Sequence, residues 1–160
     1  MIFASGCADA SGPSAPSDAG LDAGEVSVVL GLPAGEDNLD FAPLEAGGEL
    51  RLQTFGQGGT HVYLAIRCVG FGNRAFVGVT LKNLLTGAEA ASPAPVRPQL
   101  LYYRDEQICD LVPFLAMTSG LTEPGEERDG LRIEVRAEVS NRDGIAASAV
   151  QEAVLSTADL

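Results

Sequence analysis

Tryptophan is absent from these 160 residues, histidine and lysine occur once each, and basic residues are outnumbered 10 to 22 by acidic ones. Each shortage excludes something. One histidine, His61, cannot make the two-His, Cys and Met set of a blue-copper site, and a structural zinc site fares no better. Any Ser-His-Asp or Cys-His arrangement depends on His61 alone, and no Gly-x-Ser-x-Gly elbow presents a nucleophile. A net charge of −12 opposes binding to a phosphate backbone, which needs clustered Lys and Arg to displace counterions. No apolar run approaches the roughly 18 residues of a membrane-spanning helix. What remains is a chain with 46% hydrophobic residues, enough for the core of one domain.

The charge is unevenly placed. Nine acidic residues and no basic one precede Arg51, whereas 13 acids face 10 bases from there onward. Residues 8 to 24 are mostly Ala, Ser, Gly, Pro and Asp, with Leu21 the single large apolar side chain. Such a stretch buries too little to offset ordering entropy, and reads as a flexible acidic tether. The expected division is therefore 1–24 for the start and linker and 25–160 for a folded domain.

Ahead of the tether stands Ala4-Ser5-Gly6-Cys7. Small residues leading into Cys7 resemble the lipobox of bacterial lipoproteins, in which that cysteine is cut free and lipidated. Acyl chains would hold the protein on a membrane, at about 0.8 kcal/mol per buried methylene. Ala4 replaces the usual Leu, and only Met1-Ile2-Phe3 precede it, so this is a truncated signal peptide at most. A chance Gly-Cys in a tail is the alternative.

Cys68 and Cys109 then form the one available pair. A disulfide closing that loop would stabilise the fold by roughly 4 kcal/mol on the chain-entropy model, and would fit an oxidising compartment. Two buried thiols are the alternative.

From residue 25 the dominant hydrophobic period is two. Leu131, Ile133, Val135, Ala137 and Val139 alternate with Arg132, Glu134, Arg136 and Glu138, which predicts a strand with one wet face. Residues 60–69 and 75–82 behave alike, with His61, Tyr63, Ala65 and Arg67 expected to face outward. Weaker strands are expected at 25–31, 48–54, 99–104, 112–118 and 146–155, the last rich enough in Ala to be a helix instead. Gly56–Gly59, Gly70–Asn73 and Asn141–Gly144 supply turn chemistry, and Pro93, Pro95 and Pro98 punctuate a loop. Seven or eight short strands suggest an all-β, immunoglobulin-like or fibronectin-like antiparallel sandwich.

The Asp-Ala-Gly tether after Gly6-Cys7, followed by Gln57-Gly-Gly-Thr-His-Val62, resembles predicted surface lipoproteins of myxobacteria. In those chains a Gln-Gly-Gly-x-His-Val hairpin opens a small β-sandwich. The resemblance covers about the first 70 residues and implies an envelope location without an activity.

Other chemistries weigh less. Gly70-Phe-Gly-Asn-Arg-Ala75 matches a dinucleotide pattern, yet a period-two run follows where a helix must hold the pyrophosphate. Asp37 and Asp40, or Glu126 and Asp129, are weak calcium candidates without the spacing of a defined loop. Tyr102, Tyr103 and Arg104, with Tyr63 and Arg67 on another strand, are candidates for a binding patch; cross-strand packing accounts for the same residues. No cofactor and no metal is expected. The reading is a non-enzymatic, envelope-anchored binding or structural module. Its partner is a protein or glycan at the cell surface, not nucleic acid, and it meets the membrane through lipid alone. The alternative is a small carbohydrate-acting or hydrolytic domain using a carboxylate pair.

Overall fold

The computed structural model describes residues 26–55, 59–72, 74–92, 99–100, 102–103, 108–123 and 127–157. Cys7, the tether, Arg104 and Glu126 lie outside the described residues. All eleven regular elements among them are strands: β1 (Ser27–Ala34), β2 (Asp40–Pro43), β3 (Gly48–Phe55), β4 (Gly59–Val69), β5 (Arg74–Asn83), β6 (Glu89–Ser92), β7 (Gln99–Leu100), β8 (Tyr102–Tyr103), β9 (Ile108–Met117), β10 (Arg132–Ser140) and β11 (Ala146–Ser156).

The alternation in the sequence fixes which faces are dry. Ala75, Val77, Val79 and Leu81 of β5 are buried, as are Ile133, Val135, Ala137 and Val139 of β10. Full burial of such an aliphatic side chain contributes about 1.5–3 kcal/mol. The Ala-rich 146–155 stretch is a strand, not a helix. Its register with β10 runs from Ser140↔Ala146 to Arg132↔Val154, and that long pairing overrides the helical preference of alanine. The hairpin between them is held by Asn141, whose Oδ1 accepts the N–H groups of Asp143 and Ile145, both at 3.0 Å. Gly144 takes the φ of +85° that closes the turn. β2 and β6, four residues each, carry too little pattern to be seen in sequence.

One hydrogen-bonded path links β2-β1-β4-β3-β11-β10-β5-β6, with β9 on the other edge of β4 and β8 beyond it. The network is mixed, because β3 runs parallel to β11 while the other pairings are antiparallel. β3 changes partner along its length. Gly48–Arg51 register with β11, and Leu52–Phe55 register with β4. β1 packs on β11, and β9 on β5 and β6, without hydrogen-bonded register. Such contacts between unpaired strands are consistent with a β-sandwich. Leu50, Leu64, Ile66, Leu81, Ile133 and Leu155 fill the space between as one core cluster.

β4 shares one edge between two strands. Its register with β3 stops at Leu52↔Val62, and its register with β1 starts at Gly31↔Ala65. Tyr63 and Leu64 therefore have no register partner there. The carbonyl of Leu30 accepts the N–H of Leu44 at 3.0 Å on the β2 side, so the alternate residues Gly31 and Pro33 turn their backbones toward β4. Pro33 has no N–H to continue the ladder, and β1 leaves β4 at that point. On the opposite edge, Val112 and Pro113 of β9 face the single residue Ala65, a bulge at the position where proline is tolerated.

The expected disulfide is corrected. Cys68 and Cys109 are register partners across β4 and β9, yet no Sγ–Sγ bond is found between them. Neighbouring Cα atoms are a weaker condition than the specific torsion a disulfide requires. Cys68 is fully buried in the core cluster and packs there as a small apolar residue. The inference of an oxidising compartment from cysteine pairing loses its support with it.

Candidate functional site

The fork between β1 and β3 opens into a cleft of about 800 Å³, within the size range of small-ligand sites. Leu32 and Pro33 form one wall, Glu49 and residues 51–54 of β3 form the other, and Tyr63 and Pro113 also line it. In β3, Leu50 is wholly buried, so Glu49, Arg51 and Gln53 take the opposite face and line the cleft. Asn38 joins them from the β1–β2 turn, at a left-handed φ of 54° that asparagine tolerates. Thr157, just past β11, lies at the same cleft. Its N–H and hydroxyl donate to Asp129 at 2.6 and 2.9 Å, and these bonds hold that carboxyl below its ordinary pKa.

Beside the cleft, the outer face of β4 is more covered than alternation implies. His61 is 1% exposed and Ala65 fully buried, although both were expected to face solvent. His61 meets the Tyr63 ring edge-on at 5.2 Å and pairs in register with Met117. Arg67 makes two bonds to its register partner Asp110, at 2.8 and 2.9 Å, and its guanidinium lies 4.2 Å from the Phe41 ring centroid. Gly31 makes this possible, because a Cβ there would collide with Phe41 and the Ala42 carbonyl. Arg67 is thus committed to structure, and Tyr63 alone of that expected pair lines the cleft.

The remaining candidates do not converge on one place. Tyr102 registers with Asp110, so Arg67, Asp110 and Tyr102 form one backbone row across β4, β9 and β8, with Tyr103 opposite Cys109. Arg104 lies outside the described residues. Asp37 and Asp40 are exposed around the β1–β2 turn, and Asp129 is bonded to Thr157 at the cleft without lining it. Among the described residues, no group of three or more His, Cys, Asp or Glu is placed to hold a metal. Asn38, Glu49, Arg51 and Gln53 were missed. Alternation in β3 signals that Glu49, Arg51 and Gln53 share a face, but nothing in sequence signals the fork that collects them.

Burial lowers the pKa of His61 from its ordinary 6.5, which favours the neutral imidazole. The unfolded chain then binds more protons at mildly acidic pH, and folding stability falls as pH drops below 6.5. The contribution of Asp129 runs in the same direction at lower pH. It is present above its ordinary 3.8 and is lost below that, outside this window. Urea unfolding at about pH 5.5 and pH 7.5 is expected to give the lower stability at 5.5. His61→Gln should remove the difference. An unchanged slope in that variant would assign the effect elsewhere.

No family model, no curated protein and no solved structure matches this chain, so the cleft has to be interpreted from its own geometry.

Proposed function

We propose that this chain is a non-enzymatic binding module of immunoglobulin-like or fibronectin-like fold, carried on an acidic tether and anchored to the cell envelope through lipid on Cys7. The fork cleft carries the binding part of this reading. It gathers polar side chains of several kinds beside an aromatic ring, on strands fixed by the core, as small-ligand sites do.

Strand order supports the finer fold. β1-β4-β9-β8 follows the A-B-E-D order of such sandwiches, and β11-β10-β5-β6 follows G-F-C with one strand added beside C. β3 touches both groups, as a first strand shared between the two sheets would. The carboxylate-pair alternative finds less support. Glycoside hydrolysis needs two carboxylates flanking the bond, and Glu49 is the carboxylate that lines this cleft.

The envelope location rests on Ala4-Ser5-Gly6-Cys7 and the tether. It is tested by peptide mass spectrometry on protein isolated from its source cells. An acylated Cys7 at the mature N-terminus is expected. An unmodified Cys7 in a soluble fraction would overturn the anchor.

A further inference from the structure

The geometry points to a neutral saccharide as the ligand of the fork cleft, bound by side chains and not by strand addition. This deepens the binding-module reading and rests on it.

The walls of the cleft are strand edges, and an extended peptide is the first occupant such edges suggest. The β1 wall cannot support one. Pro33, the residue whose backbone faces the fork, lacks an N–H, so no ladder runs along that side. On the β3 wall the free edge is short, because β3 is in register with β4 from Leu52 onward. Recognition therefore falls to the side chains.

Those side chains are available. Asn38, Glu49, Arg51 and Gln53 make no side-chain hydrogen bond or ion pair among the described residues, whereas Arg67, Arg128, Arg132 and Arg136 are each engaged. Together the four offer amide and guanidinium donors with amide and carboxylate acceptors, the mixed set that a polyhydroxylated ring satisfies from both directions. Glu49 and Arg51 cancel in formal charge. An anionic ligand would gain nothing from the pair and would face a chain of net charge −12. Tyr63 supplies a half-buried aromatic ring, held edge-on by His61, against which an apolar sugar face packs.

The test is an NMR titration of the full ¹⁵N-labelled chain with maltose, cellobiose and N,N′-diacetylchitobiose, alongside a doubly blocked dialanine peptide. At least one disaccharide is expected to shift the amides of residues 49–54 and 63 saturably, with a dissociation constant of roughly 1 mM or tighter. Arg51→Ala and Gln53→Ala, both at cleft positions outside the core, should each weaken that binding about tenfold with the rest of the spectrum unchanged. Absence of saturable shifts with all three sugars up to about 20 mM would overturn the proposal. Equal or tighter binding of the blocked peptide would overturn it too, while leaving a binding module in place. Cys7 acylation is read separately, so failure of the ligand class and failure of the envelope reading are distinguishable.

Discussion

Leu50→Ala is expected to lower folding stability by about 3–4 kcal/mol, a large fraction of the roughly 5–15 kcal/mol that holds a domain folded. Leu50 is fully buried and lies where β3 passes from β11 to β4. Removing its side chain deletes buried apolar surface and leaves a cavity. The cavity cannot easily collapse, because Leu50 is in register with Leu155 and the next residues are tied to β4. Val150→Ala, at an exposed position on β11, should change stability by no more than about 0.5 kcal/mol. Urea denaturation of both variants checks this. A loss below about 1 kcal/mol for Leu50→Ala would mean that the crossing segment is loosely packed. The fork cleft, whose β3 wall is that same segment, would then lack a rigid side. The stability result therefore bears directly on the proposed site.

Asn83→Ala should be nearly as damaging, at about 2–4 kcal/mol. Asn83 ends β5 and is 2% exposed, a polar side chain at a position where Ala75, Val77, Val79 and Leu81 point into the core. Three of its four hydrogen-bonding positions are directed. Nδ2 donates to the carbonyl of Leu121 at 3.0 Å, and Oδ1 accepts the N–H groups of Leu85 and Thr86 at 2.8 and 3.2 Å. One side chain thereby shapes the 84–88 turn and ties it to the loop after β9. Alanine leaves the buried Leu121 carbonyl unsatisfied, which costs more than that bond itself contributed, and frees the 84–88 turn. Asn83→Asp keeps the acceptor but loses the donor and places a charge in the core, so it should rescue little at neutral pH. Full stability in Asn83→Asp would show that the bond to Leu121 carries none of the effect. Denaturation midpoints, with amide exchange at residues 85 and 86, report the two ends of this network separately.

Periodicity decided the strands. In β10 and β5, where a polar face alternates with an aliphatic one, the dry face was determined residue by residue, because a strand turns successive side chains to opposite sides. The Asn141–Gly144 turn was equally local, since an Asx hydrogen bond and a positive φ are short-range requirements. Partner choice was not local. That β3 would divide itself between β11 and β4, or that β4 would serve β1 and β3 along one edge, depends on strands far apart in the chain. Burial of the outer face of β4 was equally hidden. His61 and Ala65 read as solvent positions, and packing by neighbouring strands removes them from water. Cys68 and Cys109 show the limit from the other side. The register brings the two backbones opposite each other, but the bond expected from counting cysteines is not formed. Sequence alone determined a single acidic all-β chain poor in bases and histidine, because composition and period are properties of residues and their near neighbours. Tertiary structure decided where polar side chains collect, because a cleft exists only once distant strands have paired and then parted.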